Sequence, residues 1–110
     1  MVKKSNKVIK IINKYIRIIS KDISVERVIL FGSYVRGDYD RESDIDLAVI
    51  SPDFSKKDYL ENIQYLYRIG SDMEEIIEAL PYTSEEYENA DPRSFLGEIK
   101  RTGKIVYQKE

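Results

Sequence analysis

The chain of 110 residues contains no cysteine and no histidine. Disulfides are therefore impossible, and any metal ion would have to be held by oxygen ligands. Acid–base chemistry would fall to carboxylates, lysine or tyrosine. Long hydrophobic runs are also missing: no apolar stretch approaches the length of a membrane span, and the lysine-rich start lacks the apolar core of a signal peptide. We therefore expect a cytoplasmic protein without membrane association.

The composition is typical of a folded domain, and the charged residues are distributed unequally along the chain. Hydrophobic residues make up 42% of the sequence, and we expect residues 1–110 to form a single domain. Residues 1–42 carry 10 basic and 5 acidic side chains, whereas residues 43–110 carry 8 and 15. The basic residues concentrate in a stripe at helical spacing: Lys3, Lys7, Lys10, Lys14, Arg17 and Lys21. Such a stripe is usually a solvated face; a functional one would suit an acidic partner or a nucleic acid.

Helices and strands are predicted to alternate. The first helix spans about 4–20, with one apolar face formed by Val8, Ile11, Ile12, Tyr15 and Ile19. A second helix, capped by Ser55 with Asp58, runs to about Ile69, with Tyr59, Ile63 and Leu66 on its buried side; a third, starting at Asp91-Pro92, reaches Arg101. Strands are expected at 25–31, 44–50, 75–82 and 104–107, and a short helical turn at Thr83 to Glu86. The pattern predicts an α+β (mixed α/β) fold, a mixed sheet of about four strands with helices packed on it.

A Gly-Ser turn followed by two carboxylates is the most informative feature. Gly32-Ser33 ends one predicted strand, and Asp44 and Asp46 open the next. Gly32 allows the backbone to approach a phosphate, and Ser33 would start a short helical segment that favours anions. Asp44 and Asp46 are two residues apart in a strand, so they project together and need a cation such as Mg²⁺ or Mn²⁺ between them. The pattern indicates a nucleoside triphosphate beside divalent metal.

A third carboxylate is expected from a neighbouring strand, to complete the ligand set or to accept a proton. Glu78 is an acidic residue flanked by apolar ones, which is unusual in a buried strand unless the residue has a function. We select Glu78, with Glu75 and Glu74 as alternatives. Glu78 could also lie simply on an exposed face of its strand.

The stretch Gly-Ser-Tyr-Val-Arg-Gly at 32–37, with Ser-Asp-Ile-Asp-Leu at 43–47, resembles the signature of the minimal nucleotidyltransferases of the polymerase-beta-like superfamily. The leading helix and the ending at 103–107 are also similar to that domain. The resemblance implies that Gly32 and Ser33 bind the nucleotide phosphates and that Asp44, Asp46 and Glu78 are the catalytic metal ligands. Arg36 would contact phosphate or support the loop; pairing with Asp38 or Asp40 is the alternative.

The resemblance also implies a biological role. By this resemblance, an active protein would transfer AMP from ATP to a tyrosine hydroxyl of a HEPN-type helical partner. It would act as the antitoxin of a toxin–antitoxin pair. The alternative is a binding module that neutralises a partner by contact, with a weak or inactive nucleotide site. Modification of nucleic acid ends rests only on the basic helix. An exposed sheet edge leaves homo-oligomerisation open.

Overall fold

The computed structural model describes residues 2–37 and 44–110, with side chains from residue 6 onward. Its elements alternate as predicted and confirm the mixed α/β class with a four-stranded sheet. The helices are α1 (Val2–Ile19), α2 (Ser33–Arg36), α3 (Tyr59–Gly70), α4 (Ser84–Glu88) and α5 (Phe95–Thr102), with a 3-10 turn at Pro52–Ser55. The strands are β1 (Arg27–Phe31), β2 (Ile45–Ile50), β3 (Ile77–Tyr82) and β4 (Lys104–Gln108).

The four strands form one sheet in the order β3-β2-β1-β4. Strand β1 pairs antiparallel with β2 and β4, whereas β2 and β3 run parallel. The register places Phe31, at the end of β1, opposite Asp46, and Asp46 opposite Glu78. The end of β1 and the beginnings of β2 and β3 therefore lie side by side at the same end of the sheet.

Helices α1 and α3 cover one face of the sheet and form the main core. The apolar face predicted for the first helix is confirmed, since all five of its members are buried: Val8, Ile11, Ile12, Tyr15 and Ile19. They pack against inward-facing strand residues that include Val28, Leu47 and Ile77. The buried hydroxyl of Tyr15 donates a hydrogen bond of 3.0 Å to the carbonyl of Leu66, which ties α1 to α3.

The opposite face carries a much smaller cluster. Ile29, Ala48 and Ile99 are its buried members, and α5 supplies Ile99 as the cover. Because side chains alternate between the faces of a strand, Asp46 and Glu78 lie on this thinly covered face, away from Leu47 and Ile77. The predicted carboxylates are thus outside the main core.

Of the two predicted caps, one is partly right and the other is wrong. Asp58 caps α3, accepting a hydrogen bond of 2.8 Å from the backbone N–H of Glu61, but Ser55 belongs to the preceding 3-10 turn. Helix α5 is capped by Ser94, whose hydroxyl accepts from the N–H of Gly97 at 3.0 Å. The predicted cap Asp91 is wrong, because its carboxylate accepts instead from the N–H of Arg93 at 2.8 Å.

Other expectations about the helices have mixed outcomes. The turn at Thr83 is confirmed as helix α4, with reciprocal hydrogen bonds between Thr83 and Glu86. Tyr59 was expected to be buried but is 58% exposed, because the buried face of α3 begins one turn later, at Asn62. None of the helices within the described ranges is long and apolar enough to cross a membrane.

Candidate active site

The turn after β1 is built against a carboxylate. Gly32 adopts φ = 80°, a left-handed conformation that other residues rarely take. A Cβ atom at this position would lie 2.3 Å from Oδ2 of Asp46, which is closer than atoms approach without displacement. Glycine is therefore required both for its dihedral angle and for its lack of a side chain. Ser33, half-buried, begins α2 directly after this contact.

Three acidic side chains lie together beside the turn. Burial raises the pKa of Asp46, the charge of Asp44 raises this pKa further, and Arg36 partly offsets the rise. Loss of hydration also raises the pKa of Glu78, followed by a hydrogen bond with Asp44 and by the charges of Asp44 and Asp46. The raised pKa values mean that ionisation of Asp46 and Glu78 is disfavoured by lost hydration and mutual repulsion, and a cation would stabilise the ionised forms.

The register of β2 and β3 thus places Glu78 beside Asp46, and the charge of Asp44 acts on both side chains. Of the alternatives to Glu78, Glu74 forms an ion pair of 3.3 Å with Lys7 of α1, and Glu75 lies just before β3. The register with Asp46 therefore favours Glu78 as the third carboxylate.

Arg36 lies in the last turn of α2, close enough to Asp46 for its charge to lower the pKa of that carboxyl. This position agrees with either predicted role, phosphate contact or loop support. The alternative partners of Arg36, Asp38 and Asp40, lie outside the described residues, as does Ser43 of the predicted signature.

The carboxylates suit a metal that arrives with its substrate. Across residues 2–37 and 44–110, no three acidic, histidine or cysteine side chains are gathered closely enough to enclose an ion by themselves. Mg²⁺ usually binds through one or two carboxylates together with substrate phosphates, and it prefers oxygen ligands. Asp44 and Asp46, with Glu78 beside them, offer such a partial ligand set next to the turn.

One part of this region was not predicted from the sequence. A cavity of about 350 Å³ lies between the turn and α5, and its walls include Phe31, Phe95 and Glu98. The rings of Phe31 and Phe95 meet edge to face with centroids 5.7 Å apart, and Phe95 is 55% exposed. One feature of the sequence could have indicated this cavity. Leu96 and Ile99 supply the buried apolar side chains of α5, so the additional apolar residue at position 95 is not needed for the core.

A mixed sheet, a glycine turn and adjacent carboxylates are together the architecture of an enzyme that handles nucleotides. The chain belongs to the nucleotidyltransferase domain family, whose model matches residues 12–101. This result confirms the family predicted from the Gly-Ser and Asp-x-Asp pattern, and the protein is accordingly a nucleotidyltransferase.

Two relatives from Methanocaldococcus jannaschii carry names that assign them as protein adenylyltransferases. One is 38% identical over 71 residues, covering 60% of this chain and 72% of the relative. The other is 36% identical over 86 residues, covering 76% of this chain and 79% of the relative. The shared region is therefore most of each protein.

Solved structures share the fold. A Sulfolobus solfataricus protein assigned as a nucleotidyltransferase superposes with a TM-score of 0.72 at 15% identity, covering 98% of this chain and 86% of its own. A toxin–antitoxin protein crystallised with AMP-PNP gives a TM-score of 0.61 at 23% identity, with coverages of 93% and 74%. At these identities the likeness concerns the fold.

Proposed function

We propose that residues 1–110 form a single minimal nucleotidyltransferase domain that transfers AMP from ATP to a hydroxyl of a partner protein, with Mg²⁺ or Mn²⁺ as cofactor. The partner is a HEPN-type helical toxin, and the protein acts as its antitoxin. The observation that carries this proposal is the contact of the Gly32 turn with Asp46, which is in register with Glu78. The names of the relatives support protein adenylylation, and the toxin–antitoxin protein with AMP-PNP shares the fold.

Each site residue has a role in this reaction. Gly32 and Ser33 hold the outer phosphates of ATP, Arg36 adds positive charge, and Asp44 and Asp46 hold the metal with Glu78 as the third carboxylate. When bound, Mg²⁺ neutralises the carboxylates and phosphates and makes the acceptor hydroxyl more acidic.

The acceptor oxygen approaches the α-phosphorus from the side opposite the leaving pyrophosphate. A new oxygen–phosphorus bond forms while the bond from the α-phosphorus to the bridging oxygen breaks, giving adenylylated partner and pyrophosphate. The hydroxyl proton passes to a carboxylate. Glu78 in its ionised form is the best placed, because it is in register with Asp46 on the thinly covered face.

Radioactive ATP, Mg²⁺ and the protein encoded by the neighbouring gene provide the test. We expect label on the partner, and a fall of about a thousandfold or more in the variant carrying both Asp44→Asn and Asp46→Asn. Asp72→Asn, an exposed aspartate outside the cluster, is the matched control and should keep full activity. Absence of label on the partner in the presence of wild-type protein would rule the proposal out.

A second function, neutralisation of a partner by contact alone, is favoured by the exposed basic side chains of α1, which include Lys7, Lys10 and Lys14. These cations suit an acidic protein surface. The double aspartate variant separates the two functions, because the nearly isosteric change removes charge from the site and leaves α1 intact. If the variant still protects cells from the toxin, contact is sufficient and catalysis is not the basis of the antitoxin role.

A further inference from the structure

We propose that the cavity between the Gly32 turn and α5 holds the nucleobase of the donor nucleotide, stacked on Phe95. This inference rests on the proposed function, because it takes the turn as the site of the outer phosphates. It adds a base-binding site, contributed jointly by the end of β1, the turn with α2, and α5.

The walls of the cavity suit a flat aromatic ring. Phe31 and Phe95 form one side, Val35 and Ile99 add aliphatic surface, and Glu98 and Thr102 supply polar groups. Phe95 is 55% exposed even though it is aromatic and precedes two buried residues. Its exposed surface is available for stacking, and every nucleobase has a π-face that can stack on such a ring. The volume of about 350 Å³ is within the usual range for small-ligand pockets.

The cavity borders the turn that contacts Asp46. Phe31 lies directly opposite Asp46 in the antiparallel pair of β1 and β2, so the two side chains are neighbours on the same face. Gly32 and Arg36 also border the cavity. A nucleotide whose phosphates contact the turn therefore has its remaining parts within reach of Phe31 and Phe95.

The direction of the reaction favours the base rather than the acceptor as the occupant. In an in-line displacement the attacking hydroxyl approaches opposite to the leaving pyrophosphate. The pyrophosphate lies at the turn, and the cavity opens from that same turn. The acceptor therefore approaches from the other side of the α-phosphorus, and the cavity remains for the donor.

The variant Phe95→Ala tests the stacking surface by calorimetric titration with ATP and, separately, with inorganic triphosphate, both with Mg²⁺. We expect ATP to bind about tenfold more weakly and inorganic triphosphate to bind as in the wild type. Tyr67→Ala is the matched control, since Tyr67 is 58% exposed and lies on α3. Equal losses for the two probes, or no loss for either, would overturn the base site.

Photolabelling of the wild type with 8-azido-ATP locates the base independently of any variant. Label on peptides containing residues 31–36 or 95–102 supports the site, and label confined to other regions overturns it. Failure of the proposed function looks different, because the wild type would then bind no ATP or transfer no AMP. A wild type that labels its partner while Phe95→Ala binds ATP normally would refute only the base site.

Discussion

The two faces of the sheet are covered to very different depths. Helices α1 and α3 seal one face with side chains that are almost entirely excluded from water, among them Ile12, Tyr15 and Leu66. The cluster on the other, thin face has only three buried members, Ile29, Ala48 and Ile99, under α5. The face under α1 and α3, here called the deep face, can supply most of the hydrophobic stabilisation, because this stabilisation is proportional to the apolar area removed from water.

This asymmetry explains where charge can be tolerated. A carboxylate in the main core would lose its hydration without compensation, at a cost of several kcal/mol. On the thin face, Asp46 is half-buried and Glu78 exposed, so each keeps part of its hydration beside the other charges. Stability and chemistry are therefore assigned to opposite faces of one small sheet.

The largest effect on stability is expected from breaking the deep face. Leu66→Ala removes a fully buried side chain at the contact of α3 with α1, and we expect a loss of about 3 kcal/mol in the free energy of unfolding. Urea denaturation measures this loss, and AMP transfer per folded molecule should remain near the wild-type rate. The exposed neighbour Tyr67→Ala should change stability by less than about 0.5 kcal/mol. A loss below about 1 kcal/mol for Leu66→Ala would mean that α3 contributes little to the core.

Features that depend on the spacing of nearby residues could be predicted from the sequence. The apolar face of α1 follows from residues three and four apart, and all five predicted members are buried. The turn at Gly32 and the pair Asp44 and Asp46 follow from local spacing. Caps were less predictable, because Asp91 and Ser94 are both good capping residues and only their hydrogen bonds distinguish them.

Contacts between distant segments could not be derived in the same way. The placement of Glu78 beside Asp46 depends on the parallel register of β2 and β3, which no short pattern specifies. The cavity at Phe95 depends on α5 crossing the end of β1, a contact between residues far apart in the chain. For this reason the sequence singled out Glu78 by its apolar neighbours and did not single out Phe95 or Glu98.

An intermediate effect on stability and on AMP transfer is expected at Gly32, where the turn contacts Asp46. Gly32→Ala places a Cβ atom 2.3 Å from Oδ2 of Asp46 and strains φ = 80°, whereas Gly37→Ala strains a similar φ of 87° with nothing within 4 Å of the new atom. We expect Gly37→Ala to lose about 1 kcal/mol of stability from its left-handed dihedral angles, and Gly32→Ala to lose more, because φ = 80° with ψ = −149° is a conformation that only glycine adopts readily. Only Gly32→Ala should also lose AMP transfer, by up to about a hundredfold, because Asp46 is displaced. Equal transfer rates in the two variants would show that the contact with Asp46 does not matter for catalysis.

The smallest effect on stability is expected from removing the charge of Asp46. Burial and the charge of Asp44 raise the pKa of Asp46 in the folded protein, so the neutral carboxyl favours folding and this contribution is lost as pH rises through the raised pKa. In the presence of EDTA, Asp46→Asn should therefore match the wild type near pH 3.5 and be the more stable protein at pH 7. We expect a gain below about 1 kcal/mol, because the half-exposed side chain is screened by water. Thermal unfolding across this pH range measures the difference.

Addition of ATP and Mg²⁺ at pH 7 should reverse that order. A ligand that binds only the folded state stabilises it by an amount that grows with the logarithm of its concentration relative to its dissociation constant, and Asp46 is one of the residues proposed to hold the metal. The wild type should then gain thermal stability while Asp46→Asn gains little. If the variant were stabilised as much as the wild type, the carboxylate at position 46 would not contribute to holding metal and nucleotide. A reversal would mean that the charge which weakens the empty thin face is the charge that the cofactor needs.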